Sequence, residues 1–184
     1  MGINGWVVVA VVAALLFAQY LSWTAGRMDR LHARIDAARS ALDAQLVRRA
    51  SVTTELATSG LLDPASSMLL ASAAHEAREA TPEERELAES NLSKALRAAL
   101  AEPELYHALQ GDRGGAYLLG ELGAAMRRVA MARRFHNDAV RATRAVRRQR
   151  LVRMLRLAGR APLPPTFEAD DALPETFGTQ TTSL

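Results

Sequence analysis

Two short patterns in the sequence place His and Glu at spacings that metal sites use. His75-Glu76 begins the H-E-x-x-H motif of zinc proteases, but the second His is missing. Glu104 and His107 form one E-x-x-H pair, whereas a di-iron bundle needs two such pairs and two further Glu residues. The chain has no Cys, which excludes disulfides and thiolate metal sites. We therefore predict no catalytic residue, no metal ligand and no cofactor, and we expect that the protein is not an enzyme.

A further polar cluster is the run His136, Asn137 and Asp138. Asn and Asp are poor helix formers, so their place inside a predicted helix suggests that a hydrogen-bond partner holds them. One interpretation is a structural polar contact that fixes the register of packed helices. The alternative is a ligand site, which would suit an enzyme or a metal-dependent component with a polar site in the bundle. The sequence favours the structural contact.

Many arginines precede and follow this polar group. Residues 126–160 contain twelve arginines and one acidic residue, and Val and Leu alternate with the last of the arginines. Such a basic amphipathic helix could lie on anionic lipid or dock an acidic partner protein. The candidate lipid- or partner-binding residues are Arg141, Arg144, Arg147, Arg148, Arg150, Arg153, Arg156 and Arg160.

The same arginines also suit a structural role or a compositional origin. Residues 63–104 hold nine acidic and four basic side chains, so the basic helix can pair with an acidic neighbour, helped by an acidic tail that folds back. Lys94 is the only lysine, so the arginine excess can also reflect a GC-rich bacterial genome. Contact with phosphate backbone is a weaker option, because stacking aromatics and a recognisable nucleic-acid-binding module are missing. Nucleic acid is therefore not an expected partner.

The N-terminal stretch is apolar and long. Ile3 to Ala25 are 23 residues without a charge, and about 20 are enough to cross the hydrocarbon core of a bilayer. Trp6 lies near one end, and Tyr20 and Trp23 lie near the other, where aromatic rings prefer the interface. A cleaved signal peptide is the rival interpretation, but the first five residues carry no positive charge and no convincing cleavage site follows. We predict a transmembrane anchor over residues 1–26.

The charges beside this stretch predict how it is oriented. Arg27, Arg30, Arg34 and Arg39 follow it, and no basic residue precedes it. Positive residues are retained on the cytoplasmic side of a membrane span. We therefore expect a single-pass protein of the cell membrane, with its N-terminus outside and its helical domain in the cytoplasm.

The soluble part shows helix patterns separated by stop signals. An apolar stripe from Met28 to Leu46 predicts that the anchor continues as a long helix, whose stripe packs in the domain or, as a coiled coil, against a second copy. Asp63-Pro64 predicts a helix start, and Thr81 to Glu84 predict a capping box. Residues 111–115 predict a loop before a final helix that extends to about Leu157. Residues 161–184 are rich in Pro and acidic side chains and predict a disordered tail.

The chain resembles the LemA family of bacterial membrane proteins. The resemblance rests on an N-terminal anchor that is followed, in order, by three stretches. They are RIDAARSALDAQLVRRASVTTEL at 34–56, AESNLSKAL at 88–96 and ARRFHNDAV at 132–140. The resemblance covers almost the whole chain. It implies an N-terminal membrane helix and a long antiparallel helical bundle, in a family whose biochemical role is not established.

The chain departs from that family at three places along its last helix. His136 stands where the family usually has Tyr, Met126-Arg127 replace a Glu-Asn pair, and Thr143-Arg144 replace a Tyr-Asn pair. If those polar residues form a site in the family, part of that site is missing here. The resemblance therefore carries over to fold and membrane attachment and not to a site.

Together these patterns predict an all-α protein with three regions. An N-terminal transmembrane helix over residues 1–26 precedes an antiparallel bundle of about four helices over residues 27–160 and a flexible acidic tail over residues 161–184. The expected function is that of a cytoplasm-facing membrane scaffold or adaptor of unknown pathway. It would act through protein–protein or anionic-lipid contacts, with self-association as a further option.

Overall fold

The protein is all-helical in the part of the chain that the computed structural model describes, residues 3–148 and 165–177. Helix makes up 84% of the structure, and these residues form no strand. The helices are α1 (Ile3–Thr58), α2 (Pro64–Glu79), α3 (Arg85–Ala99), α4 (Pro103–Gly111) and α5 (Arg113–Arg147), followed by a 3₁₀ turn at Glu175–Phe177. The predicted all-α class is confirmed.

Helix α1 is a single element of 56 residues, which confirms that the apolar N-terminal stretch continues into the helix after it. Gly60 lies just after its end and has φ of 76°, in the left-handed region that glycine adopts without strain. This residue lets the chain turn from α1 towards α2. The predicted boundary at residue 26 is therefore not a break in the helix.

The two predicted helix starts have different outcomes. The side chain of Asp63 accepts hydrogen bonds from the N–H groups of Ala65 and Ser66 and caps α2, as predicted. The prediction of a capping box at Thr81 is wrong. Helix α3 begins only at Arg85, and the Thr81 hydroxyl donates to the Glu84 carboxylate (2.9 Å), so neither side chain caps a backbone N–H.

The predicted loop at residues 111–115 is also wrong over most of its length. Helix α4 extends to Gly111 and α5 begins at Arg113, so only Asp112 separates them. The Asp112 side chain accepts from the N–H of Gly115 (2.8 Å) and caps α5. A Cβ at Gly115 would lie 2.4 Å from the carbonyl oxygen of Leu109, so this glycine permits close packing rather than flexibility. The predicted end of this helix near Leu157 lies outside the described residues.

The chain forms two compact units, and α1 and α5 contribute a segment to each. Within the described residues, unit 1 comprises 3–38, 136–148 and 165–166, and unit 2 comprises 39–135 and 167–177. In unit 1, Met28 packs with Val146, and Ile35 packs with Ala139 and Val140.

Unit 2 has its own core. Residues from all five helices form its main cluster, in which Leu56, Leu70, Leu92, Leu96 and Leu122 are fully buried. A second cluster joins Leu42 and Leu46 of α1 to Val129 and Ala132 of α5. In each unit, therefore, the apolar stripe of α1 packs against α5 of the same chain.

The prediction of a disordered tail is wrong for residues 165–177, which are ordered. Leu173 and Phe177 pack against the main core of unit 2, and Asp170 and Asp171 pair with arginines. The composition of this stretch is poor in apolar residues, but the helices supply an apolar surface and cationic partners that the stretch lacks by itself. Residues 161–164 and 178–184 lie outside the described part of the chain.

Candidate functional site

The N-terminal half of α1 presents a long apolar surface. The helix is long and apolar enough to cross a membrane, and no side chain in its most apolar window is buried in the protein. Trp6 is 73% exposed, and the large residues from Val7 to Phe17 are at least half exposed or close to it. A contiguous exposed apolar surface of this kind is typical of contact with a membrane or with another protein.

The end of this apolar stretch is marked by an aromatic and a cation. The guanidinium of Arg27 lies 5.9 Å from the centre of the Trp23 ring, a cation–π contact. The hydroxyl of Thr24 donates to the carbonyl of Tyr20 (2.8 Å), so this polar side chain is satisfied inside the helix. Trp23 and Arg27 thus mark the change from apolar to charged surface on α1.

The described arginines of the predicted binding helix lie at the end of α5, in unit 1. Arg141, Arg144 and Arg148 are exposed, and Arg147 is half-buried. Arg141 forms an exposed ion pair with Asp138 at 2.5 Å. The other four predicted residues, Arg150, Arg153, Arg156 and Arg160, lie outside the described residues.

Packing within unit 1 places these arginines beside the part of α1 that directly follows the apolar stretch. Val146 contacts Met28, which is five residues after Trp23. At 1.5 Å per residue, this contact lies only about 7 Å along α1 from the Trp23 position. Arg144 of α5, and Arg148 just after this helix, therefore lie at the same level of unit 1 as Arg27 and Arg30 of α1.

The run His136, Asn137 and Asp138 is not brought together as one site. His136 and Asn137 are buried, each 4% exposed, whereas Asp138 is exposed and pairs with Arg141. The Nε2 atom of His136 lies 3.4 Å from the carbonyl oxygen of Pro165, and its Nδ1 is buried without a hydrogen-bond partner in the described residues. The structure therefore separates the exposed Asp138 from the two buried side chains.

The residues of the two metal-like patterns are spread over the surface. His75 and Glu76 are exposed on α2, and Glu104 and His107 are exposed on α4. Among residues 3–148 and 165–177, no three His, Asp or Glu side chains are grouped so that they could hold a metal ion. The described part of the chain therefore does not complete either pattern.

Sequence reasoning missed a buried ion pair between α1 and α3. Arg49 and Glu89 each have 1% of their side chain exposed, and the Arg49 Nη2 atom donates to a Glu89 carboxylate oxygen at 2.6 Å. Arg49 also donates to the Ser93 hydroxyl (2.9 Å) and to the carbonyl of Glu89 (3.1 Å). The only signal in the sequence was the presence of Arg49 and Glu89 within two of the family-like stretches.

An acidic tail that folds back was one interpretation of the sequence, but the sequence did not show how residues 167–177, here called the acidic segment, bind to the helices. Arg97 donates to both carboxylate oxygens of Asp170, at 2.5 and 3.2 Å. Arg133 donates to both carboxylate oxygens of Asp171, at 2.8 and 3.0 Å. Two-pronged pairs of this kind fix geometry as well as charge. The acidic tail thus folds back onto the helices at two named carboxylates.

The backbone of the acidic segment is held as well. The N–H of Asp170 donates to the Ser90 hydroxyl (3.0 Å), and the Ser93 hydroxyl lies 2.6 Å from the carbonyl oxygen of Asp170. Ser93 also contacts Arg49, so the segment is connected to the buried ion pair. The Arg97 guanidinium, the largest influence, and the N–H of Ala172 hold the pKa of Asp170 below its ordinary value.

The far end of the segment is anchored by an aromatic ring. Phe177 meets Tyr106 edge to face, with ring centres 5.7 Å apart and an angle of 81°. A Cβ at Gly123 would lie 2.9 Å from the Phe177 ring, so α5 admits the ring because position 123 has no side chain.

Phe177 and Tyr106 also line a cavity of ≈ 450 Å³ together with Gln110, Leu119 and Arg127. Burial raises the pKa of the Tyr106 hydroxyl.

The chain was also compared with known proteins. No protein-family model matches it, and no curated protein matches it.

Proposed function

We propose that the chain is a single-pass protein of the cell membrane that acts as a scaffold or adaptor, with its helical part in the cytoplasm. In this proposal Arg141, Arg144 and Arg148 contact anionic lipid headgroups. One observation carries it: within unit 1, Val146 packs against Met28, about 7 Å along α1 from Trp23. An arginine near an anionic membrane surface contributes about 1 kcal/mol to binding.

The orientation in this proposal rests on the same charges. The arginines of α5 add to Arg27, Arg30 and Arg34, which follow the apolar stretch on α1. Both sets lie in unit 1, near the C-terminal end of the apolar stretch of α1. The positive-inside rule then favours a cytoplasmic helical domain and an external N-terminus.

The LemA-like antiparallel bundle is part of the proposal. Its support is the order of contacts in unit 1: Met28 meets Val146, whereas Ile35, later on α1, meets Ala139 and Val140, earlier on α5. Contacts that run in opposite directions along two helices are expected of antiparallel neighbours. In unit 2, the Arg49–Glu89 pair joins two of the stretches that carry the resemblance.

The lipid contact is tested with one labelled cysteine, which the Cys-free chain allows without a background signal. Ala145 is exposed between the arginines of interest, so the full-length Ala145→Cys protein carries a fluorophore there. The protein is placed in nanodiscs of phosphatidylcholine alone or with phosphatidylglycerol, each with a quencher on the lipid headgroups. We expect stronger quenching in the anionic discs.

Charge variants decide whether the arginines cause that difference. Arg141→Gln, Arg144→Gln and Arg148→Gln together should remove the extra quenching in anionic discs. The matched control changes three exposed arginines of unit 2, Arg78, Arg113 and Arg128, to Gln and alters net charge equally. Equal quenching in both kinds of disc, or equal effects of the two triple variants, would contradict the lipid contact.

The adaptor part of the proposal needs a partner from the native membrane. Crosslinking in intact membranes, followed by affinity capture and mass spectrometry, should yield the same attached proteins in repeated experiments. Capture of the chain only with itself would instead favour a self-associating membrane protein. The alternative of an enzyme or metal-dependent component around His136 and Asn137 stays a hypothesis from the sequence, and metal that copurifies without being added would favour it.

A further inference from the structure

The contacts of the acidic segment resemble those of a bound peptide. It lies on a surface formed by Ser90, Ser93 and Arg97 of α3, Tyr106 of α4, and Gly123 and Arg133 of α5, here called the segment groove. Serines hold the backbone, arginines hold two carboxylates, and an aromatic ring holds the end. Recognition of an acidic motif by clustered arginines is a recurring mode of peptide binding.

We propose that the segment groove is a peptide-binding site, and that the acidic segment is its internal ligand. The external ligand is a partner protein with an exposed peptide of the same chemistry, which displaces the acidic segment. That chemistry is read from the occupant: two adjacent carboxylates, a Leu two residues after the second, and an aromatic residue four residues after the Leu. The proposal extends the adaptor function to a site that differs from the lipid-contacting arginines.

Charge complementarity supports an acidic partner. Arg97 and Arg133 face the two carboxylates from different helices, and removal of the acidic segment would leave both guanidinium groups without these partners. Two arginines fixed on separate helices select a pair of neighbouring carboxylates rather than a single charge. A peptide without adjacent acidic residues would therefore bind less well.

Partial exposure of the contacts supports exchange. The side chains of Asp170 and Asp171 are 34% and 21% exposed in their ion pairs, and Leu173 and Phe177 are only partly buried. Solvated ion pairs contribute less than buried ones, so competition by an external peptide is feasible. By contrast, the Arg49–Glu89 pair beneath the groove is 1% exposed and belongs to the fixed core.

The first test measures binding of a labelled peptide to the full-length protein in non-ionic detergent. The peptide has the sequence of residues 167–177, FEADDALPETF, and binding is followed by fluorescence anisotropy. The internal segment competes in the wild type, so a variant with Asp170→Asn and Asp171→Asn should bind the peptide at least about tenfold more tightly. Phe177→Ala is a second way to weaken the internal ligand and should act in the same direction.

Controls separate groove binding from general charge attraction. The double variant Glu168→Gln and Glu175→Gln removes two exposed charges from the same segment that form no ion pair in the described part of the chain, and it should bind the peptide no better than the wild type. Adding Arg97→Ala and Arg133→Ala to the Asp170→Asn, Asp171→Asn protein should abolish the gain. Helical circular dichroism checks that each variant is folded.

Two results would overturn the proposal. One is a folded Asp170→Asn, Asp171→Asn variant, and a folded Phe177→Ala variant, that bind the peptide no better than the wild type, because the segment would then be a fixed part of the fold. The other is self-association of the wild-type protein that the Asp170→Asn, Asp171→Asn substitutions abolish. That association would identify a second copy, and not a partner protein, as the source of the peptide.

Discussion

Arg49 and Glu89 are the most deeply buried charged residues of unit 2. Their hydrogen bonds involve Ser93 and the Glu89 carbonyl, which offset part of the cost of removing both charges from water. At the residue scale, the surroundings of a side chain thus decide what it contributes. Arg48, the neighbour of Arg49, instead forms an ion pair at the surface with Glu121.

Removal of one partner of the buried pair should be costly. We predict that Glu89→Gln lowers the free energy of unfolding by about 3 kcal/mol, because the Arg49 charge stays buried without its counter-charge. Urea unfolding of the full-length protein in detergent, followed by circular dichroism, measures the change. Glu121→Gln, which breaks the exposed pair, is the control and should have little effect. Equal losses from both substitutions would contradict the assigned role of the buried pair.

Two glycines of α5 form a matched pair for a second prediction. A Cβ at Gly120 meets no atom within 4 Å, so Gly120→Ala should stabilise the protein by about 0.5–1 kcal/mol through helix propensity. A Cβ at Gly123 would instead lie 2.9 Å from the Phe177 ring. We expect Gly123→Ala to be less stable than Gly120→Ala by about 1 kcal/mol or more in urea unfolding, because the ring must move. Equal stability would show that Phe177 does not pack at Gly123 in solution.

At the element scale, α1 carries two different surfaces in one helix. Its N-terminal part is apolar and exposed, and from Met28 to Leu46 it buries a stripe against α5. No Gly or Pro interrupts the stripe, so one helix can leave an apolar environment and continue into a helical core.

The orientation of α1 can be tested with single cysteines. Gly2→Cys, before the apolar stretch, should react with a membrane-impermeant maleimide in intact cells. Ser59→Cys, just after α1 and exposed, should react only after the cells are lysed, because positive residues keep that side in the cytoplasm. The reverse pattern would place the helical part outside.

The acidic segment is the second element that makes a prediction. The pKa of Asp170 is held low in the folded state by Arg97, so this carboxylate stabilises the fold fully above its unfolded pKa of about 3.9. The contribution should fall as pH decreases through the lower folded-state pKa. We therefore expect the loss of unfolding free energy in Asp170→Asn to be constant near neutral pH and to shrink below about pH 4. A loss that is independent of pH would contradict this account.

At the scale of the whole molecule, the charges are divided between the two units in distinct ways. In unit 1, exposed arginines of α5 lie beside those that follow the apolar stretch of α1. In unit 2, Arg97 and Arg133 are paired with carboxylates of the acidic segment. The proposed lipid contact therefore assigns the exposed arginines of unit 1, and not Arg97 and Arg133, to an anionic membrane.

The proposed lipid contact should depend on salt because these arginines are exposed. The extra quenching of a label at Ala145 in anionic nanodiscs should decrease as NaCl is raised from about 0.1 M to 1 M, because the screening length falls from about 10 Å to 3 Å. Fluorescence of the same reconstituted protein measures it. Salt-independent quenching would indicate apolar insertion in place of charge attraction.

Local sequence patterns were enough to predict the helical class, the apolar N-terminal helix, its continuation past residue 26 and the cap at Asp63. These depend on composition, on spacings of three and four, and on neighbours a few residues away. The sequence by itself could not show that Arg49 and Glu89 meet, because the partners are 40 residues apart and only packing brings them together. The order of residues 165–177 was missed for the same reason, since their stability comes from Arg97, Arg133 and the core of unit 2 rather than from their own composition. Tertiary structure also decided that Gly115 and Gly123 serve close packing, because a missing side chain gains meaning only from the atom that would collide with it.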